Sequence, residues 1–306
     1  MLLYVSDVFA RHNTGSHPEC IQRITRLNQL LSERGWLQQA TCPEWQEVTD
    51  AAVHRVHDEC YIKQLQAWCS QGAGRIEADT VVSHGSWQAA RMAAGAAVDA
   101  VRRVAQGQDK RAFCAIRPPG HHALQKGPMG FCLLNNVAVA ANSAIEQGLA
   151  RVMIVDWDVH HGNGTQDAFY DDGKIGFFSI HRSPFYPGTG DSDETGTGAG
   201  LGATLNVPVP FGITVDEFLG KFQEGVEQLA EKLRPELILI SAGFDAHTLD
   251  PVGGLCLEEA DFGRLTKIVC EVAESHSQGR IVSLLEGGYH LDKMPASVLE
   301  HLQSLN

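Results

Sequence analysis

Short runs of apolar residues recur along the chain, and longer stretches of mixed apolar and polar residues separate them. Seven of these runs are rich in β-branched and aromatic residues and predict strands at 2–5, 112–116, 151–155, 176–180, 203–207, 237–241 and 281–285. The intervening stretches repeat their apolar residues at helical spacing and predict helices at 84–107, 134–148, 215–233 and 258–275.

The predicted strands are apolar almost throughout, and they alternate with the predicted helices. A strand without polar alternation is typical of a parallel sheet that is covered on both faces. The pattern therefore predicts an α/β fold: a parallel sheet of about eight strands with helices on both faces. A chain of 306 residues can bury a large core in one unit, so we expect a single domain over residues 1–306.

Composition argues against several classes of partner. A formal net charge of −13 argues against nucleic acid or anionic lipid as partners, although it would suit a cationic substrate. The eight cysteines are scattered without a CxxC pair, which favours free thiols in a reducing compartment. The first residues turn polar too early for a signal peptide, and no window is apolar enough to span a bilayer. We expect a cytoplasmic protein, with its oligomeric state open.

Polar clusters follow four of the predicted strands. "RPPGHHA" follows the strand at 112–116, "DWDVHHGNG" the strand at 151–155, "SAGFDAH" the strand at 237–241 and "EGGYH" the strand at 281–285. Parallel sheets bind ligands outside the carboxyl ends of their strands. The sequence therefore predicts one site at which these histidines, aspartates and a tyrosine meet.

The second cluster carries residues that bind metals. If the chain stays extended past residue 155, Asp156, Asp158 and His160 share one face, and Asp158 and His160 could hold one metal. The alternative is that the two aspartates cap a helix and that His160 is a core residue. Asp245 adds a third ligand from another strand, and three protein ligands with an open position are typical of a catalytic metal. His247 is a further candidate ligand or, more simply, a structural residue.

Two other features point to proton transfer and oxyanion binding. The tandem His121 and His122 could divide proton acceptance and charge stabilisation between them, with Asp156 and Asn163 as orienting partners. Tyr289 follows two glycines, which would let its phenol approach a developing oxyanion. Taken alone, Tyr289 is more simply interpreted as a buried structural residue.

These motifs together resemble the histone deacetylase family, and especially its class II-like and bacterial amidohydrolase members. The similarity rests on "RPPGHHA", "GFC", "DWDVHHGNGTQ", "SIHR", "FYPGTGD", "SAGFDAH" and "LEGGY", in that order. It extends from residues 17–23 to residues 285–289, and so covers most of the chain.

The resemblance implies two cation sites. Asp158, His160 and Asp245 match the ligands of one catalytic zinc ion, although ferrous iron stays open as the native metal. A monovalent cation, usually potassium, would lie beneath it. The residues that match this second site are Asp156, Ser179 and Ile180 with the carbonyls of Asp158 and His160.

The resemblance also implies roles in catalysis and substrate binding. His122 matches the general base and acid, His121 its electrostatic partner and Tyr289 the oxyanion donor. The residues that match an acyl-lysine tunnel are its aromatic walls Phe131 and Tyr186, the adjacent Gly130 and the rim residue Asp79.

Three positions bear on how closely the chain follows this family. Asn163 stands where many class I members have aspartate, which weakens the support for His122 as a base. Tyr186 replaces the usual phenylalanine and adds a hydroxyl to the tunnel. Gly162 stands where the related two-manganese arginases have a third ligand, which favours a single metal.

The predicted function is a zinc-dependent amidohydrolase that acts on acyl-lysine or a similar linear N-acyl amine. An acetylpolyamine amidohydrolase is the alternative within the same class. A non-catalytic acyl-lysine binding protein is the alternative outside it.

Overall fold

The computed structural model describes residues 1–306. Its nine strands are β1 Leu2–Tyr4, β2 Gly74–Arg75, β3 Val81–Val82, β4 Arg111–Cys114, β5 Val152–Asp156, β6 Ile175–Arg182, β7 Thr204–Val209, β8 Leu237–Ala242 and β9 Ile281–Leu285. Its ten α-helices are α1 Ile21–Glu33, α2 Trp36–Gln39, α3 Asp50–Val53, α4 Glu59–Gln71, α5 Ser86–Ala105, α6 Asn136–Glu146, α7 Asn163–Phe169, α8 Val215–Leu233, α9 Glu259–His276 and α10 Lys293–Leu305.

Seven of the strands form one parallel sheet in the order β1-β4-β9-β8-β5-β6-β7. Strands β5, β8 and β9 are buried at every position, as their unbroken apolar sequences predict. The remaining two strands, β2 and β3, form a separate antiparallel ribbon.

Local sequence signals set the ends of the surrounding helices. Helix α8 begins with a capping box, in which Thr214 and Glu217 satisfy each other's backbone N–H groups. The Asn135 side chain accepts a hydrogen bond from Ala138 N and so caps α6. Helix α5 buries a row of alanines, and such small side chains let it pack closely against its neighbours.

The chain reverses direction at the middle of the sheet. From β5 it continues outward to β6 and β7, whereas β8, which pairs with β5, leads to β9 on the other side. The loops that follow β5 and β8 therefore diverge, and such a switch point opens a crevice at the carboxyl ends of the strands. The four polar clusters of the sequence lie at this edge.

The predicted α/β class is confirmed, and all seven predicted strands are present. The sheet has seven strands where about eight were expected, because the only further strands, β2 and β3, are too short and pair only with each other. Leu2 and Leu305 belong to the same core cluster, and one domain over residues 1–306 stays a prediction. None of the helices is both long and apolar enough to cross a membrane.

A buried ionic network attaches α1 to the loop after β9. Glu19 pairs with the guanidinium groups of Arg23 and Arg117, and all three side chains are fully buried. Arg23 also donates to the backbone carbonyls of Glu286 and Gly288, both at 2.6 Å. Burial alone would raise the pKa of Glu19, but Arg117 and His12 outweigh it and hold the pKa well below its usual range.

We expect Glu19→Gln to lower the free energy of unfolding by about 3–5 kcal/mol, because two buried guanidinium groups would lose their counter-charge. Urea denaturation at neutral pH measures this loss. Since the folded pKa of Glu19 lies below its unfolded value of about 4.3, its charge stabilises the fold above that pH and less as the pH falls. The difference between variant and parent should therefore shrink in acid.

The matched control is Glu33→Gln, which removes an exposed carboxylate from α1. It should change the unfolding free energy by no more than about 0.5 kcal/mol. Equal losses for the two variants would contradict a special role for the buried network.

Candidate active site and metal centre

The side chains of Asp158, His160 and Asp245 converge at the crevice between β5 and β8. One ligand atom from each lies within 4.8 Å of the other two, and all three residues are buried. His160 Nδ1 is 3.0 Å from Asp158 Oδ1 and 3.2 Å from Asp245 Oδ2. The structure thus brings together the three residues that the sequence predicts as metal ligands.

The backbone route to this cluster differs from the extended chain that the sequence suggested. Strand β5 ends at Asp156, and the following residues bend. Backbone N–H groups of Asp158 and His160 donate to the carboxylates two residues earlier, at 3.1 and 3.0 Å. The helix-capping alternative is also wrong, because α7 begins only at Asn163 and has no side-chain cap.

Two glycines leave room for the carboxylates of Asp158 and Asp245. A Cβ atom at Gly243 would overlap the side chain of Asp158, and one at Gly287 would overlap the carboxylate of Asp245. Gly287 N instead donates to Asp158 Oδ2 at 2.9 Å, and Val159 N donates to Asp245 Oδ1 at 2.9 Å. The second oxygen of each carboxylate points into the cluster.

The electrostatics of the cluster fit a cation. Burial and the charge of Asp158 raise the pKa of Asp245 to about 7. Burial opposes a charge on His160, yet its interactions with the carboxylates of Asp158 and Asp245 raise the pKa of His160 to about 10. A proton therefore neutralises part of this buried charge, and a divalent cation would do so more completely. Asp245 Oδ2 is buried without a hydrogen-bond partner, as expected of a ligand atom.

The histidine pair lies beside this cluster. The ring centroids of His121 and His122 are 4.0 Å apart. His121 Nδ1 bonds Asp156 Oδ2 at 2.9 Å, and His122 Nδ1 bonds Asn163 Oδ1 at 2.7 Å. Both orienting partners are those predicted from the sequence.

The surroundings give the two rings different protonation states. Burial alone would lower the pKa of His121, but the charges of Asp156 and Asp158 outweigh it and raise the pKa well above its ordinary value. Burial, with the neighbouring His121 and His160, holds the pKa of His122 well below its ordinary value. These opposite shifts favour the charged form of His121 and the neutral form of His122.

Tyr289 lies in the loop after β9, on the other side of the same cavity. Its ring packs edge-on against Phe131, with centroids 5.6 Å apart, and the guanidinium of Arg23 lies 4.8 Å from its centre. Burial raises the pKa of its phenol well above 10, so the hydroxyl stays protonated. A protonated phenol is a hydrogen-bond donor to any oxyanion formed beside it.

These groups line a cavity of about 190 Å³. Its walls are Asp79, His122, Gly130, Phe131, His160, Phe185, Tyr186, Val252 and Tyr289. The four residues predicted to bind substrate are all among them. Larger grooves lie elsewhere on the surface, such as one of about 590 Å³ beside Lys126 and Asp167, but none holds a comparable cluster of ligand side chains.

The wall at Gly130 and Phe131 has an unusual backbone. Both residues have positive φ, 55° and 70°, and Phe131 N donates to Thr80 Oγ1 at 3.1 Å. A Cβ at Gly130 would overlap the ring of His122, so glycine is needed for this wall to approach the histidine. Asp79 at the rim accepts a hydrogen bond from Thr80 Oγ1 at 3.2 Å.

The side chains predicted for a monovalent cation belong to strands β5 and β6. Asp156 on β5 is the register partner of Ser179 on β6, and Ile180 follows directly. All three are fully buried. The structure therefore places these residues next to one another, where the end of β5 lies beside the middle of β6.

His247 lies outside the ligand cluster. Its Nδ1 accepts from Leu249 N at 3.0 Å, and its Nε2 lies 3.4 Å from Glu259 Oε2. Of the two interpretations open for His247, the structure supports the structural one.

Sequence reasoning missed three residues at this site. Phe185 stacks on His160 with centroids 5.2 Å apart, and the guanidinium of Arg182 backs it at 4.1 Å. Val252 lines the cavity. Glu286 accepts from Gly120 N at 2.6 Å and His121 N at 3.2 Å, and burial raises its pKa to about 7. Glu286 is part of the "LEGGY" motif, but the sequence gives no sign that it accepts hydrogen bonds from the backbone beside His121.

Comparisons with known proteins agree with this fold and site. Residues 17–305 match the histone deacetylase domain. "Histone deacetylase 14, chloroplastic" of Arabidopsis thaliana is 37% identical, covering 99% of this chain and 76% of its own. "Histone deacetylase-like amidohydrolase" of Pseudomonas aeruginosa is 35% identical over 95% and 77%. The structure titled "Crystal Structure of HDA15 HD domain" superposes with a TM-score of 0.94 at 33% identity, covering 100% of this chain and 90% of that one.

The fold, the site and these relatives define a hydrolase that acts on amide bonds. The chain belongs to the histone deacetylase family. The predicted family is confirmed.

We expect the native protein to hold one divalent metal per chain and Asp245→Ala to lose both metal and activity. Removing this ligand leaves only Asp158 and His160, and two protein ligands do not hold a catalytic metal of this type. Elemental analysis of the purified protein, paired with an amide-hydrolysis assay, measures both quantities.

The control is Asp193→Asn, which removes the same charge from an exposed loop position. It should keep one metal and full activity. Two metals per native chain, or full turnover by a metal-free preparation, would contradict the prediction.

Proposed function

We propose that this hydrolase is a zinc-dependent deacylase that cleaves the amide of an acyl-lysine side chain or a similar linear N-acyl amine. The observation that carries the proposal is the convergence of a ligand cluster, a neutral histidine and a protonated phenol on one narrow cavity. Each of these groups has a distinct task in amide hydrolysis, and no other cavity in the structure combines them.

Asp158, His160 and Asp245 would hold the metal. A zinc ion bound there would supply Lewis-acid polarisation of the amide carbonyl and would lower the pKa of a bound water toward about 7. Two carboxylates and one imidazole form a donor set that zinc accepts, and three protein ligands leave a position open.

His122 is the proposed general base. The Nδ2 group of Asn163 faces Met129 Sδ at 3.3 Å, so its Oδ1 faces His122 and accepts a hydrogen bond from Nδ1–H. Nε2 is therefore free to accept a proton from the attacking water. The same nitrogen then gives that proton to the departing amine, which completes hydrolysis without a net change in the protein.

His121 and Tyr289 stabilise the negative charge that develops in the reaction. The imidazolium of His121 is fixed by Asp156 and contributes positive charge next to His122. Tyr289 would donate a hydrogen bond to the oxyanion as the carbonyl carbon becomes tetrahedral. Both groups are oriented before substrate arrives, because burial and packing already fix them.

The cavity favours a linear substrate with an apolar stem. Phe131, Phe185 and Tyr186 form aromatic walls suited to the methylene groups of lysine. Asp79 at the rim can accept hydrogen bonds from the backbone of a peptide. Asp191 and Asp193, which could have served the distal ammonium of a polyamine, are exposed and do not line the cavity.

Asp156, Ser179 and Ile180, with the carbonyls of Asp158 and His160, are proposed to hold a potassium ion. Their adjacent positions on β5 and β6 support this assignment. A monovalent cation here would offset the buried charge of Asp156 and help to keep the bend that carries Asp158 in place.

We expect Tyr289→Phe to lower kcat by about 10²–10³ while leaving the metal content unchanged, because one oxyanion donor is lost and no ligand is touched. Steady-state assays and elemental analysis measure the two effects. An unchanged kcat would mean that Tyr289 has only a structural role.

We expect kcat/KM to be higher for an acetyl-lysine peptide than for acetylputrescine or acetylspermidine. A hundredfold preference for the polyamines, equivalent to about 2.7 kcal/mol in the transition state, would establish the acetylpolyamine amidohydrolase alternative instead. Tight binding of the peptide by metal-loaded protein without turnover would establish the non-catalytic alternative.

A further inference from the structure

Asp250 lies in the loop that follows β8, beyond Asp245, and its carboxylate accepts four backbone hydrogen bonds. Oδ1 accepts from Val252 N at 2.9 Å and from Gly253 N at 3.0 Å. Oδ2 accepts from Tyr289 N at 2.6 Å and from His290 N at 3.2 Å. A carboxylate has about four lone-pair positions, so these N–H groups use all of them.

The two oxygens of Asp250 bind partners at very different separations in sequence. The Oδ1 contacts lie within one turn, which is common for aspartate in loops. The Oδ2 contacts connect the loop after β8 with the loop after β9, across 39 and 40 residues of sequence. Only the second pair fixes one wall of the active-site cavity relative to another, because Val252 and Tyr289 both line that cavity.

The hydrogen bonds to Asp250 add to those that Arg23 and Asp158 make with the two glycines before Tyr289. Gly288, immediately before it, has a φ of 114°, a conformation that side-chain-bearing residues rarely adopt. Two consecutive glycines leave the chain many alternative paths once a restraint is removed. The phenol of Tyr289 follows its own backbone, so a shift of the backbone moves the hydroxyl relative to the metal ligands.

We propose that Asp250 is a positioning residue that holds the backbone of Tyr289, and through it the phenol, at the distance the oxyanion requires. This inference rests on the proposed function, in which Tyr289 donates to the oxyanion. A displacement of about 1 Å in a reacting group can reduce a rate by about 10²-fold, so the hydrogen bonds to Oδ2 bear directly on turnover. Because four backbone N–H groups already use its acceptor positions, Asp250 is not free to bind a substrate ammonium group.

Asp250→Asn keeps the shape of the side chain but replaces one acceptor oxygen by an NH₂ donor, which cannot accept from two N–H groups. We expect kcat for an acetyl-lysine peptide to fall by about 10- to 100-fold with one metal per chain retained. Asp193→Asn makes the same substitution at an exposed position and should leave kcat unchanged.

A double-mutant cycle with Tyr289→Phe tests whether Asp250 acts through the phenol. In the Tyr289→Phe background, Asp250→Asn should lower kcat by less than about threefold, because the hydroxyl that it positions is gone. A loss of equal size in both backgrounds would overturn the proposal, and so would an unchanged kcat for Asp250→Asn alone.

The cycle also separates this inference from the proposed function. If Tyr289→Phe by itself retains full activity, the oxyanion role of Tyr289 fails, and the positioning role of Asp250 fails with it. If Tyr289→Phe is impaired but the two changes are additive, only the role of Asp250 fails.

A second variant allows the same test if Asp250→Asn does not fold. Asp250→Glu keeps both oxygens and the charge but moves them by one methylene. The same non-additivity with Tyr289→Phe is expected, and additive losses would again overturn the proposal.

Discussion

The structure depends on the neutralisation of carboxylates that are buried at one edge of the sheet. Asp156, Asp158, Asp245 and Glu286 lie together there, each no more than 1% exposed. Removing ionised carboxylates from water costs several kcal/mol each unless partners replace the lost hydration. The imidazoles of His121 and His160 supply part of that replacement, and the geometry of the remaining oxygens suits a cation.

The same carboxylates organise the loops that surround them. Backbone N–H groups of Val159, Gly287 and Gly120 donate to Asp245, Asp158 and Glu286, respectively. These amides belong to the loops that follow β5, β9 and β4. The charges that would serve the chemistry therefore also fix the backbone around the cavity, which explains how long loops can hold reacting groups accurately.

The sequence was sufficient to predict the sheet and the meeting of its loops. Unbroken apolar strands such as β8 predict burial on both faces of the sheet. Because the strands are parallel, Asp158 and Asp245 are expected at the same edge. Asp156 and Asn163 were also predictable as orienting partners for the two histidines, since the loop after β4 reaches the same edge as the end of β5. These features follow from periodicity and topology.

Other features could not be predicted because they depend on contacts between distant segments. The bend after Asp156 is set by side-chain acceptors, and strand periodicity carries no information about it. Phe185 looks like any aromatic neighbour of Tyr186 until its stack on His160 is seen. Asp250 resembles a surface acid in sequence, whereas its partners at Tyr289 and His290 appear only when the loops after β8 and β9 are placed side by side.

The glycines at 243 and 287 restrict how this site can change. A side chain at either position would occupy the space of a ligand carboxylate, so the backbone and the ligands are in mutual contact. The three proposed metal ligands can therefore change in residue type more easily than in position along the chain. A shift in metal preference among related sequences would thus arise by substitution at 158, 160 or 245, while the path of the backbone around them stays the same.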